Sequence, residues 1–189
     1  MKATSLLKAQ HEEVESLFKR IEKSKDDAKK RELFEELAGK LVSHDGIERE
    51  IFYPACKKAM GKTDLLGEAM VEHGVIEFSL YLADQAQGKE DFDEKVTVLR
   101  EIIEHHVKEE EHDLFPKVQK AMTTEQLEEL GTKMEARFEA ALKKDFRGPL
   151  HKNLRLVLEG ASEIPNTKNA KDKNGGAKKK GAAAGRIQA

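Results

Sequence analysis

The sequence predicts an all-α protein whose first 122 residues form an up-down-up-down four-helix bundle built from two similar helical hairpins. Apolar residues recur there at spacings of three and four, the period of one buried helix face. Short polar connections separate the periodic segments, so successive helices should run antiparallel. The first pair of segments also maps onto the second with a constant offset of 62 positions: His11 onto His73, Glu15 onto Glu77, His44 onto His106, Glu48 onto Glu110 and Pro54 onto Pro116. Two copies of one hairpin explain that regularity.

The first helix carries its stripe at Leu7, His11, Val14, Phe18 and Ile21, and the polar run EKSKDDAK ends it. The second spans roughly residues 27 to 60, with a stripe through Leu37, Leu41, His44, Glu48, Ile51 and Ala55. After the break GKTD, the third uses Leu66, Ala69, His73, Ile76, Leu80 and Ala83. QGKEDFDEK leads into the fourth, through Leu99, Ile103, His106, Glu110 and Lys117. Residues 123–160 form an accessory helical segment: Thr123 and Gln126 fit a capping box, and Leu127, Leu130, Met134, Phe138 and Leu142 make a stripe that would cover the bundle. FRGPLHKN breaks this pattern before the short run LRLVLEG, and the segment's role as a lid or a dimer contact stays open. Residues 161–189 are rich in Lys, Gly, Ala and Asn and too poor in apolar residues to fold, so a disordered basic tail is expected.

Composition sets the class. The chain of 189 residues is 38% hydrophobic and 37% charged, with no Trp and a net charge of −2, which suits a water-soluble helical protein with one principal core. No apolar run approaches the length of a membrane-spanning helix, and charge returns early in MKATSLLKAQHEE, so neither a membrane anchor nor a signal peptide is expected. The single cysteine, Cys56, excludes an internal disulfide and favours the cytoplasm; it is expected to be a small buried hydrophobe. Lys178 to Lys180 form one short basic cluster without interleaved aromatic residues, which argues against a nucleic-acid partner. A partner protein or a homo-oligomer stays open.

The stretch SHDGIEREIFYP poses the functional question, because His44 and Glu48 occupy positions where the apolar stripe should continue. Burying a carboxylate is costly unless it is protonated, paired or bound to a metal. Each of the four helices places a histidine in its stripe, and the two hairpins together bring four histidines and two to four glutamates into one interior. Imidazole and carboxylate donors in such number favour iron, then manganese, and exceed the four ligands zinc usually takes. In an HxxxE pair both side chains share a helix face, so the imidazole can serve one ion while the carboxylate bridges to the next. By symmetry His11 and His44 would serve one ion, His73 and His106 the other, with Glu48 and Glu110 bridging.

At these residues the sequence resembles the hemerythrin-like family, also called the HHE cation-binding domain. The resemblance covers residues 3 to about 122 and is carried most specifically by HDGIEREIFYP and HVKEEEHDLFP. It implies an oxo- or hydroxo-bridged non-haem diiron centre inside a four-helix bundle, with His11, His44, Glu48, His73, His106 and Glu110 as the matching ligands. The oxygen-carrying members usually have HxxxH on the third helix and HxxxxD on the fourth, whereas this chain has HGVIE, ending at Glu77, and HVKEE. A carboxylate in place of an imidazole stabilises ferric iron and argues against a reversible oxygen carrier.

Three further residues are secondary candidates for the metal. Glu77 and Glu15 lie in the repeated HxxxE pattern at the edge of the stripe, where either could instead reach solvent. Tyr53 breaks the symmetry, since its counterpart is Phe115. It either packs at the bundle end or, pushed out of helical geometry by Pro54, swings its phenol to the metal as a tyrosinate. His105 and His112 fall beside the fourth stripe, where solvent-facing or supporting roles are expected. The expected function is a diiron protein that binds or transforms a small oxidant, namely hydrogen peroxide, dioxygen or nitric oxide, with catalase-like peroxide removal ahead of the others. The alternative is a non-enzymatic sensor or store of oxygen or iron that signals through its C-terminal segment.

Overall fold

The computed structural model describes residues 1–159, and among them every regular element is helical. The expected tail, 161–189, lies outside the described residues. Helix α1 (Ala3–Lys23) pairs with α2 (Asp27–Ile47), which continues without a break through a π-helical turn, Glu48–Phe52, into α3 (Tyr53–Met60). The second hairpin repeats the plan: α4 (Asp64–Gln85) pairs with α5 (Phe92–Glu109), which runs through a second π turn, Glu110–Leu114, into α6 (Phe115–Ala121). Two further helices follow, α7 (Thr124–Leu142) and α8 (Arg147–Leu158).

Local chemistry sets the ends of these elements. Asp26 accepts hydrogen bonds from the amides of Ala28 and Lys29 at 2.8 and 3.1 Å, so the polar connection ends in an N-cap. Thr63 caps α4 in the same way, and Thr123 with Gln126 forms the expected capping box on α7. Gly61 and Gly88 take φ of +81° and +76° in the links before α4 and α5, a conformation that costs other residues more. FRGPLHKN is helical from Arg147 onward. Pro149 falls in the first turn of α8, where its missing N–H has no intrahelical partner to lose, so the proline marks a helix start instead of a break.

The stripes of α1 and α4 are buried as expected, but those of the second and fourth rods shift phase midway. Ile51 and Ala55 are only partly covered and Lys117 is exposed, while Phe52, Tyr53, Cys56, Leu114, Phe115 and Val118 are buried. The π turns cause the shift. Tyr53 N–H bonds Glu48 O and Phe115 N–H bonds Glu110 O, five residues back, so each turn holds one extra residue and rotates everything after it. Each π turn directly precedes Tyr-Pro or Phe-Pro, and a widened turn accommodates the proline's missing donor and its clash with the carbonyl four residues back.

The interior holds two apolar clusters, one at each end of the bundle, instead of the single core expected. One gathers Phe18, Leu37, Leu80 and Leu99 and is completed by Phe146, Leu150 and Leu154 from α8 and the connection before it. The other gathers Leu7, Phe52, Phe115 and Val118 and is completed by Leu127, Met134 and Phe138 of α7. The accessory segment therefore divides: α7 lies on the first hairpin and α8 on the second. Among the described residues, no helix is long and apolar enough to cross a membrane.

Candidate metal centre

A layer of ionisable side chains lies within this interior. His11, His73, His106, Glu48 and Glu110 are buried, and His44 is nearly so. The Nε2 atoms of His11 and His44 are 3.3 Å apart, and those of His73 and His106 are 3.1 Å apart. Both glutamates reach across the pairs. Glu48 Oε2 lies 3.2 Å from His44 Nε2 and 3.3 Å from His73 Nε2, while Glu110 Oε2 lies 3.4 Å from His11 Nε2 and 3.8 Å from His106 Nε2. The six residues that the repeat and the resemblance selected thus meet at one place, arranged as two His pairs with two carboxylates between them.

The outer nitrogen of each imidazole is also occupied. His11 Nδ1 donates to Glu111 Oε1 at 2.9 Å, His44 Nδ1 to Gln10 Oε1 at 2.8 Å and His106 Nδ1 to Glu72 Oε2 at 2.7 Å. His73 Nδ1 approaches Asp45 Oδ1 to 2.5 Å, a close ion-pair contact that is not aligned as a hydrogen bond. Carboxylate and amide oxygens accept, so each Nδ1 carries a proton, and in the neutral ring each Nε2 then turns a lone pair inward. Facing lone pairs 3.1–3.3 Å apart repel unless positive charge lies between them.

The same need shows in the buried carboxylates: Glu48 Oε1 and Oε2 and Glu110 Oε2 have no aligned hydrogen bond, although Glu48 Oε2 and Glu110 Oε2 lie within ion-pair range of imidazole nitrogens. Protons meet part of the demand. Burial opposes charging His73, yet Asp45 and then Glu48 outweigh it and raise its pKa to about 10. Burial likewise opposes charging His11, and the hydrogen bond and charge of Glu110 raise its pKa nonetheless. Burial would raise the Glu48 pKa, but His44 and His73 hold it well below the usual carboxylate range. Protons on two imidazoles still leave the oxygens of Glu48 without aligned bonds, whereas cations among the donors would satisfy all of them at once. The donor set, His11, His44, Glu48 and Glu110 on one side and Glu48, His73 and His106 on the other, therefore fits a metal site.

Tyr53 joins this layer. Its side chain is fully buried, and its hydroxyl donates to Glu110 Oε1 at 3.0 Å and stands 2.9 Å from His73 Nε2. The expected route was a distortion before Pro54, but Tyr53 keeps helical φ and ψ of −63° and −37°, and the π turn supplies the rotation that turns it inward. Burial first, and then Glu110 and Glu48, push its pKa well above the usual value, so the phenol stays neutral unless a cation lies beside it. Phe115, its counterpart, stacks on His11 with ring centroids 6.1 Å apart.

The structure does not bring the other two secondary candidates to this layer. Glu77 receives Arg49 Nη2 at 3.1 Å, and burial followed by repulsion from Asp45 raises its pKa to about 8. Glu15 is half exposed and pairs with Lys19 at 2.5 Å, since its position one turn beyond His11 already faces water. His112 is exposed and donates to Lys108 O. Cys56 is buried as expected, its thiol kept neutral by burial and by Glu110 and Glu48. Sequence reasoning missed the outer partners Gln10, Asp45, Glu72 and Glu111. Gln10 and Glu72 share the 62-residue offset and directly precede His11 and His73, so the repeat held that signal. Asp45 and Glu111 have Val107 and Arg49 as counterparts, and symmetry could not find them.

The profile of the hemerythrin HHE cation binding domain matches residues 2–118. A DNA nickase of Nostoc sp. is 27% identical over 139 residues, a match that spans 72% of this chain but only 39% of that longer protein. An uncharacterized protein of Mycobacterium tuberculosis is 31% identical over 141 residues, 74% of this chain and 86% of its own. The crystal structure of a hemerythrin HHE cation binding domain-containing protein from Mycobacterium kansasii superposes with a TM-score of 0.68 at 28% identity, covering 79% of this chain and 97% of that one.

Proposed function

The chain belongs to the hemerythrin HHE cation binding family, and from that premise we propose that it holds two iron ions among His11, His44, Glu48, Tyr53, His73, His106 and Glu110 and consumes hydrogen peroxide there, in the cytoplasm. The observation that carries this reading is the set of four inward imidazole lone pairs around carboxylate oxygens that lack aligned hydrogen bonds. Bound there, an iron pair supplies two-electron redox chemistry and positive charge to polarise an oxidant. Oxygen donors, two carboxylates and a phenol, favour the ferric state and so favour peroxide over reversible oxygen carriage.

The cavities support a route by which an oxidant would approach. A surface cleft of about 300 Å³ between α1 and α5 shares His11, Val14, Ile103 and Val107 with a small void of about 30 Å³ among the histidines. The two halves differ at this point. Tyr53 adds an oxygen beside His73, whereas Phe115 on His11 adds none, which leaves the His11 and His44 half with the freer position, next to the cleft. Val14, Ile103 and Val107 line the way with apolar surface that admits a small neutral molecule and holds back ions. Glu111, fixed by Lys8 at 3.3 Å, orients His11 from the rim.

The test is peroxide consumption by the iron-loaded protein without added reductant, with one dioxygen released for every two peroxides. Stoichiometric dioxygen release supports the reading, and absence of turnover at full iron content contradicts it. One observation favours the sensor alternative: Asn153 of α8 donates to Asp45 Oδ2 at 3.1 Å, so the C-terminal segment touches the residue that holds His73.

A further inference from the structure

Beside the buried layer, a second group of donors converges at the surface. His105 Nε2 lies 3.4 Å from Glu72 Oε1 and 3.4 Å from Glu109 Oε1. These three residues, together with His106, Glu110 and His73, form a register: each surface donor directly precedes a buried one in the sequence. One residue turns a helix by about 100°, so the surface group repeats the buried pattern on the neighbouring face. The corresponding positions in the first hairpin are Gln10, Ser43 and Ile47, which cannot form such a group.

We propose that Glu72, His105 and Glu109 bind one divalent transition-metal ion of the zinc class at the surface, separate from the buried centre. Two donors bound to a tetrahedral ion at 2.0–2.2 Å stand about 3.4 Å apart, which is the spacing His105 keeps to both carboxylates. One imidazole and two carboxylates suit such an ion and leave a fourth position to water. His105 and Glu109 sit at i and i+4 on α5, and Glu72 comes from α4, which pairs with α5 in the second hairpin, so two helices fix the group. Glu72 is anchored as well, because its other oxygen accepts from His106 Nδ1 at 2.7 Å. The side chain of His105 is 63% exposed, which gives an ion direct access from solvent.

The test titrates the iron-loaded full chain with zinc, followed by equilibrium dialysis and determination of both metals. Wild type and His112→Ala are expected to take up one zinc per chain with no loss of iron. His105→Ala and Glu109→Gln are expected to bind it at least about tenfold more weakly, since each removes one of three protein donors. His105 is exposed and Glu109 half-buried at the surface, so circular dichroism should show an unchanged fold. Full zinc uptake by His105→Ala would overturn the proposal, as would no uptake by wild type or a zinc gain matched by an equal loss of iron. None of these results depends on peroxide turnover, so this site can fail while the proposed activity stands.

Discussion

Tyr53 and Phe115 occupy matching positions and face the same layer, yet only one of them brings an oxygen. Tyr53→Phe therefore removes a hydroxyl placed 2.9 Å from His73 and 3.0 Å from Glu110 while keeping a side chain the second hairpin already accommodates. The expected outcome is loss of a visible charge-transfer band and a changed rate of peroxide consumption, with a thermal stability cost of about 1 kcal/mol or less. An unaltered spectrum and rate would leave the tyrosine as a packing residue. Asp45 offers a second check on the residues that hold the histidines. Asp45→Asn takes away the negative charge beside His73 and should weaken iron binding about 10–100-fold in chelator competition, with the helical content unchanged. The broken Tyr/Phe symmetry was legible in the sequence. The contact itself was not, because it depends on a one-residue helix bulge that no apolar period reveals.

The helices explain both what was legible and what was not. The stripes of α1 and α4 follow one period from end to end, so their buried residues could be read directly. The rods 27–60 and 92–121 each change phase at a π turn, so a single period puts Ile51, Ala55 and Lys117 in the stripe although Phe52 and Val118 are the residues that turn inward. Helix α7 owes its position to Gly131. A Cβ there would come 2.2 Å from Met1 O and 3.0 Å from Ala3 N, both backbone atoms, so the start of α1 would have to shift. Gly131→Ala would ordinarily strengthen a helix by up to about 1 kcal/mol. Here the clash with the start of α1 should win and destabilise the protein by about 1–3 kcal/mol, measurable by urea unfolding. Helix α8 is tied down by Arg147, which pairs with Glu35 and Asp84. The Arg147 hydrogen bond is the main cause that holds the Glu35 pKa below its usual value of 4.5. The folded chain thus binds that proton less tightly than the unfolded chain, so the pair's stabilisation is present above about pH 4.5 and is lost as the pH falls through the lower folded value. Because Glu35 is well exposed, the effect is screened to about 1 kcal/mol at most. Glu35→Gln should lower the melting temperature slightly at pH 7, and its difference from wild type should shrink as the pH falls below about 4.5.

Across the whole molecule, the duplicated hairpin is the feature that made the candidate centre readable. The offset of 62 selected His106 over its neighbours His105 and His112, and the fold brings the selected residues together. The division of the interior into two apolar clusters was not readable, because it arises where the ionisable layer and the separate placements of α7 and α8 meet, and no local pattern encodes either. Both clusters and the candidate centre are built from residues within 1–159. Deleting residues 162–189 should accordingly leave metal content and the thermal midpoint nearly unchanged, and a large loss of either would contradict this. The central claim is that four histidines and two glutamates hold two iron ions, and metal content per chain in the purified protein tests it most directly. The account predicts about two irons in wild type and in His112→Ala, and a clear loss in His44→Ala and His106→Ala, each of which removes an inward-facing imidazole no neighbour can replace. Full iron content in His106→Ala, or no bound metal in wild type, would contradict it.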